Sequence, residues 1–357
     1  TNSIKDTGYD VANSLRFNDG SSDHLSRTPS SAGNRKTWTW SGWIKRGSNF
    51  AAQQTLFGTS SGASAYHLWY ISGNDTLTHN YNGTYVETNA KFRDPSAWYH
   101  FICAVDTTQG TASNRVRIYV NGSEVTSFST ANYPSQDTDM TLNNNVQTDI
   151  ANSGAHYTHY FDDYMAEVVF IDGQQLDPTS FGVANSDGVW TPIPYSGTFG
   201  TNGFNLQFEN AAALGTDSSP NGNTFTVNNL TSIDQSIDYP VVNFATLNPL
   251  ANLTGSPTFS EGNLKVDGDN SANHNWQTTF VVSSGKWYWE LKDLTSSPDG
   301  SLLFYDQSII SASHPGYGFV LNTRKKVIDG TPTGSAIGSS AQNDIWSMAL
   351  DLDNGKM

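Results

Sequence analysis

The chain has 357 residues, room for two or three domains of ordinary size. Hydrophobic residues make up 36% and aromatics 12%, enough for real cores, while only 14% are charged. That balance suits all-β proteins with many tight turns, and a net charge of −15 repels phosphate backbones and sets nucleic acid aside as a partner.

Cys103 is the only cysteine, so an intrachain disulfide is excluded. It sits in "YHFICAVD", an apolar strand pattern, and reads as buried packing. No apolar run approaches the length of a membrane helix, so membrane insertion is not expected. The start carries no signal-peptide pattern, and opening on Thr1 leaves room for a cut or omitted N-terminus.

In chain order, strand signals dominate. "TWTWSGWI" alternates, with Trp38, Trp40, Gly42 and Ile44 on one face and Thr37, Thr39, Ser41 and Trp43 on the other. "RVRIYVNGSEV" puts Val116, Ile118 and Val120 on one face. It then turns at Asn121-Gly122, the favoured pair where both turn residues need positive φ. "LDPTSF" predicts a single helical turn with Asp177 as N-cap and Pro178 at its first position. "ENAAALG" from Glu209 is too short for more than a turn or two. "TRKK" at Thr323 to Lys326 reads as a solvated hairpin tip. "DIWSMALDLDNGKM" aligns Trp346, Met348, Leu350 and Leu352 and turns at Asn354-Gly355.

Three zones result: strands and turns over 1–183, a looser Pro/Asn/Gly/Thr-rich connector over 184–258, and regular strands again over 259–357. Antiparallel sandwiches are the natural architecture for this spacing.

One stretch, "SGAHYTHYFDDYMAEVVFIDGQQLDP", packs His156, His159, Asp162 and Asp163 into eight residues. On a strand His156 and His159 fall on opposite faces, as do the two aspartates. His159 and Asp163 share a face, but about 13 Å apart. Zinc ligands must all lie about 2 Å from one ion, so a strand here cannot chelate one, although a loop could. The alternative is a polar loop feeding a buried strand, "AEVVFI".

The order "NSLRFNDGSSDHLSRTPSS…WTWSGWIKRG", "FRDPSAWYHFICAVDTTQGTASNRVRIYVNGSEV", "YFDDYMAEVVFIDGQQLDPTSFG" resembles a laminin-G-like, concanavalin-type domain. More narrowly it resembles the version in tail and appendage proteins of bacteriophages, especially marine ones. The resemblance covers nearly all of residues 12–183. It implies a jelly-roll sandwich closed by the strand at Phe161 to Ile171, with Trp98 and His100 as packing residues. From "SSGKWYWELK" through "HPGYGFVLNTRKKVIDG" to "NDIWSMALDLDNGKM" the third zone resembles a SPRY domain, and "LGTDSSPNGNTFTVNNLTSIDQSIDYPVVNFATLNPL" resembles the connector between the two modules. That family continues with a further strand, so the last domain is partial at Met357. The expectation is that the natural chain, or another chain, supplies a partner to the Trp346–Leu352 strand, whose apolar face otherwise invites aggregation.

Concanavalin-type sandwiches include glucanases, which need carboxylates two apart on one strand so that acid and nucleophile face one cleft. No Glu-x-Asp-x-Glu is present: Val169 and Ile171 follow Glu167, and Lys292 follows Glu290. A Gly-x-Ser-x-Gly elbow, His-Glu-x-x-His and a phosphate-cradling Gly loop are missing too. The chain therefore reads as a non-enzyme. The resemblance implies calcium at a domain rim, with Asp19, Asp23, Asp162 and Asp163 as candidate ligands. The alternative is that these residues close turns through their own backbone.

For glycan binding, "YHLWYISGNDTLTHNYNGTYVETN" offers Trp69, Tyr81 and Tyr85 among Asn and Thr. The alternative for each ring is the sandwich core. The resulting expectation is an all-β phage virion protein on a tail fibre or appendage. It would assemble with other virion proteins, as a homo-oligomer and by preference a trimer, and recognise host-surface glycans. A structural decoration or spacer on capsid or tail is the alternative function.

Overall fold

The computed structural model of the chain describes residues 2–3, 9, 11–47, 50–251, 257–268, 277–295, 301–305, 316–320, 325–328, 331–336 and 341–355. Contacts divide the chain into two units, Thr1–Phe280 and Val281–Met357.

The first unit is an antiparallel sandwich of two eight-stranded sheets. The first sheet runs, in spatial order, Ser123–Glu124, Val116–Val120, Trp98–Asp106, Thr37–Lys45, Tyr164–Asp172, Ser14–Arg16 and Gln235–Ser236, with Phe204–Leu206 also paired to Tyr164–Asp172. The second runs Phe128–Ala131, Thr84–Lys91, Thr76–Tyr81, Ala65–Ile71, Gln54–Gly62, Thr148–Ile150, His24–Arg27 and Thr226–Asn228. The predicted alternation holds. Trp38, Trp40 and Ile44 join Phe101, Cys103, Val105, Val116, Ile118 and Phe170 in a core with Phe57, Trp69, Ile71, Leu77 and Val86 from the facing sheet. Cys103 is a buried free thiol, and burial pushes its pKa far up, so it is an inert packing residue.

The opposite face of the first sheet is covered as well. Ile102, Ala104, Tyr119, Val169 and Ile171 pack against Phe181, with Leu176, Tyr195 and Phe199 over them. Trp43, Trp98, Tyr164 and Ala166 pack with Val11 and are covered by Tyr9, Trp190 and Tyr239. This explains Trp43 on the nominally polar face of "TWTWSGWI": the face meets protein, not water.

Local predictions are met where turn chemistry is explicit. Asn121 and Gly122 take φ of 47° and 81° in the hairpin between Val120 and Ser123. Asp177 accepts a hydrogen bond from the Thr179 N–H and caps the short 3₁₀ turn Pro178–Ser180. "ENAAALG" forms turns and no helix. The segment read as a connector also contributes structure, since Phe204–Leu206, Thr226–Asn228 and Gln235–Ser236 pair into the two sheets. It is held further by Lys45, whose buried amine reaches Asp238 Oδ2 at 2.6 Å, Asn243 Oδ1 at 2.7 Å and the Phe244 carbonyl at 2.7 Å.

The closing strand Tyr164–Asp172 carries a bulge between Ala166 and Val169, where Glu167 adopts φ of 46°. The Glu167 carboxyl accepts from the Tyr9 hydroxyl at 2.8 Å and Gln207 Nε2 at 3.3 Å, and burial pushes its pKa up to about 7.

In the second unit Lys286–Lys292 pairs along its length with Ile345–Asp351, placing Trp287 opposite Leu350, Trp289 opposite Met348 and Leu291 opposite Trp346. Ser301–Tyr305, Gly316–Val320, Lys325–Ile328 and Thr331–Thr333 form a four-stranded sheet. Of the basic run, Lys325 and Lys326 lie in a strand, while Thr323 and Arg324 fall outside the described residues. The turn at Asn354-Gly355 is present, with φ of 60° at Gly355. Among the described residues no helix is long and apolar enough to cross a membrane.

Candidate glycan-binding surface

The central hairpins of the second sheet decide which aromatic rings face water. Leu68 lies opposite Asn80, and Asn80 opposite Tyr85; Tyr70 lies opposite Thr78, and Thr78 opposite Glu87. Cross-strand partners share a face. Tyr66, Leu68, Tyr70, Thr78, Asn80, Tyr85 and Glu87 therefore make up the outer face. Trp69, His79 and Val86, which pair in turn, make up the inner one. Burial agrees: Tyr66, Tyr70, Asn80, Tyr85 and Glu87 are half-buried, and Trp69, His79 and Val86 are 0% exposed.

The outer face is built as a polar-edged aromatic platform. Burial pushes the pKa of the Tyr70 hydroxyl up, against the opposing pull of the neighbouring Asn80 and Thr78 side chains, so it stays protonated. Glu87 Oε1 accepts from Thr76 Oγ1 at 2.6 Å. Tyr157 meets Tyr66 edge-on, with ring centroids 5.4 Å apart at 89°. The loop carrying Tyr157 is pinned by Ser60, whose Oγ accepts from the His156 and Tyr157 N–H groups at 3.1 and 2.9 Å. Partly exposed rings beside amide, hydroxyl and carboxylate groups are what a sugar needs, an apolar face to stack on and polar neighbours for its hydroxyls.

The predicted aromatic residues separate. Tyr85 lies on this platform. Trp69 does not: it is fully buried in the core, 6.4 Å from Trp40 and edge-on to it, and cannot offer a ring face to a ligand. Tyr81 pairs with His67 on the inner side, 5.5 Å ring to ring, and its hydroxyl donates to the Asp139 carbonyl at 3.3 Å. Tyr66, Tyr70 and Tyr157 were missed. The signal for the first two was the period of two in "AYHLWYI", which puts Tyr66 and Tyr70 opposite to Trp69.

The acidic candidates do not assemble into a cation site. Asp23 accepts from the Asn18 N–H at 3.1 Å and Ser21 Oγ at 2.8 Å, so it closes its own turn. Asp163 is fully buried, bound by Arg46 Nε at 2.7 Å and by the Gly47 N–H. Asp162 is buried beside Asp163, Asp19 and Glu261. Burial first, then those carboxylates, pushes its pKa up to about 8, while the Asp19 N–H donates to it. Of the two loop histidines, His159 sets Nδ1 3.2 Å from Ser153 Oγ. Among the described residues no three His, Cys, Asp or Glu side chains converge where a metal ion could sit. The His156–Asp163 stretch is thus a loop leading into a strand buried along its whole length.

His100 is a packing residue. It stacks on Trp43 at 4.7 Å and 15°, and its Nε2 lies 2.8 Å from Ser41 Oγ. Its Nδ1 accepts from the Trp190 indole at 2.9 Å, so the ring proton sits on Nε2, and burial lowers its pKa to about 3. Trp98 donates its indole N–H to Asp238 Oδ1 at 2.9 Å.

The laminin-G-type model of the concanavalin A-like lectin/glucanases superfamily matches residues 19–175, which fall within the sandwich just described. This unit has a concanavalin A-like, laminin-G-like jelly-roll fold. Among solved structures, mouse laminin α1 chain domains LG4-5 are similar at 13% identity over 97% of this chain and 75% of that one, with a TM-score of 0.37. A heptameric SAP-like pentraxin from Limulus polyphemus is similar at 13% identity over 47% of this chain and 80% of that one, TM-score 0.34. A sialidase CBM40 from Ruminococcus gnavus, bound to α2,3-sialyllactose, is similar at 12% identity over 40% and 89%, TM-score 0.27. Such distant likeness transfers no ligand or activity. No curated protein matches the sequence.

Proposed function

We propose that this protein is a non-enzymatic, lectin-like module of a bacteriophage virion, borne on a tail fibre or similar appendage with other virion proteins. Its concanavalin A-like domain contacts host-surface glycans, and its C-terminal unit is SPRY-like. The observation that supports recognition is the outer platform of Tyr66, Tyr70 and Tyr85 around Asn80 and Glu87. The virion assignment rests on the motif order and its resemblance to phage appendage proteins. The non-enzymatic reading rests on the missing paired-carboxylate pattern and on Glu167 being taken up by Tyr9 and Gln207.

A shallow platform gives weak single sites, with millimolar affinity equivalent to about −4 kcal/mol. Several copies in an oligomer, a trimer in this reading, multiply that by valency. With a net charge of −15, attraction to an anionic envelope is not the driving term, so stacking and hydrogen bonds discriminate.

Adsorption tests the proposal. Phage, or the multimerised protein, carrying Tyr85→Ala should adsorb to host cells measurably less than wild type once circular dichroism shows the fold intact. Unchanged adsorption after deleting the whole domain from assembled virions would reject recognition and leave a structural role in the particle. Release of reducing ends from bacterial polysaccharide, abolished by changing one Asp or Glu, would reject the non-enzymatic reading.

A further inference from the structure

We propose that the cleft at the open edge of the concanavalin A-like sandwich is a second binding site, for a neutral pyranose. Here the chain crosses from the edge of one sheet, Ser123–Glu124, to the edge of the other, Phe128–Ala131. Between them lies a cleft of about 460 Å³ whose lining includes Asn114, Val116, Arg117, Glu124, Phe128 and Tyr133. That volume falls within the range of small-molecule sites.

The lining divides by chemistry. Val116 belongs to the core, and Phe128 and Tyr133 are partly buried and packed against it, so they form a fixed apolar wall. The same cleft is also lined by a charge pair held loosely. Arg117 Nε is 3.8 Å from Glu124 Oε1, with the two side chains 35% and 43% exposed. The Arg117 Nε atom is buried and makes no hydrogen bond, while Nη2 donates to Asn114 Oδ1 at 3.0 Å. An arginine and a carboxylate side by side offer a donor and an acceptor to adjacent ligand atoms. Vicinal hydroxyls, each both donor and acceptor, match that pair, and the C–H face of the same ring covers the aromatic wall.

Charge narrows the class. One cation and one anion leave the rim neutral, in a chain of net charge −15. A uronate would bring a second carboxylate beside Glu124, and an amino sugar would set an ammonium beside Arg117; like charges that close are disfavoured. The proposal rests on the lectin-like reading of the domain but concerns a surface distinct from Tyr66, Tyr70 and Tyr85.

The test is ligand-observed saturation-transfer NMR on the full chain with methyl glucoside, galactoside and mannoside, against methyl glucuronide and glucosamine. At least one neutral glycoside should bind. Glu124→Gln and Tyr133→Ala should each weaken it about tenfold or more, a loss of one hydrogen-bonding or stacking contact. Glu124→Gln alters an exposed side chain and decides the matter alone if Tyr133→Ala fails to fold. Absence of binding by all three neutral glycosides overturns the site. So does stronger binding of the glucuronide or glucosamine, or wild-type affinity in Glu124→Gln. Binding lost in Tyr85→Ala but kept in Glu124→Gln would return the sugar to the tyrosine platform and overturn the second site while sparing the first.

Discussion

Replacing Asp238 with alanine should destabilise the first unit by about 4 kcal/mol at pH 7, close to what breaking a buried ion pair costs. Lys45 is 0% exposed, and among the described residues Asp238 is its only anionic hydrogen-bond partner; Asn243 and Phe244 supply neutral oxygens. Burial lowers the Lys45 pKa and raises that of Asp238, each against the pull of its partner, so removal from water outweighs the mutual attraction.

Two consequences follow from that balance. First, the lone lysine escapes by losing its proton. From a free value near 10.4 that costs about 4.6 kcal/mol at pH 7, a ceiling on the penalty, and the cost shrinks by about 1.4 kcal/mol per unit as pH rises toward 9. Second, replacing both partners together, Lys45→Met with Asp238→Leu, should recover most of the loss, because neither apolar side chain needs a partner. The Trp98 indole N–H loses its acceptor in either case, so recovery stays incomplete. Urea denaturation followed by tryptophan fluorescence at pH 7 and pH 9 reads all of this. A single-variant loss under about 1 kcal/mol, or a double variant no better than the single one, would refute the reasoning.

Two further outcomes can be checked. His100 is buried and neutral, with a pKa lowered to about 3, so the unfolded chain takes up a proton there that the folded one refuses; its contribution is present above about pH 6.5 and is lost as pH falls toward the folded value. His100→Gln should therefore remove about 1.4 kcal/mol per pH unit from the slope of stability between pH 6 and pH 4, and an unchanged slope would contradict its neutral burial. A methyl group on Gly182 would lie 2.5 Å from the Trp190 ring, so Gly182→Ala should push that ring off His100 and cost about 1–3 kcal/mol, seen as a lower melting temperature and altered tryptophan emission.

The all-β class, the strand faces and the tight turns were legible because they rest on neighbours in the chain. Trp38 and Trp40 point inward for the reason that residues two apart share a face, and Asn121-Gly122 turns because its backbone tolerates positive φ. The same period of two already separated Tyr66 and Tyr70 from Trp69, so part of the platform could be read from the sequence. What it could not reveal is which face meets water. Trp43 sits on a nominally polar face that distant residues, Tyr9, Trp190 and Tyr239, happen to cover. Lys45, an ordinary surface residue by type, is fully buried because Asp238, Asn243 and Phe244 return to it from nearly two hundred residues away. Asp23, Asp162 and Asp163 look alike in a string of letters, yet one closes a turn, one is held near neutral by burial and by neighbouring carboxylates, and one is locked to Arg46. Local sequence dictates conformation through sterics and short-range hydrogen bonds. Burial, charge state and partner choice depend on what folds back across the sheet, and that only the tertiary structure decided.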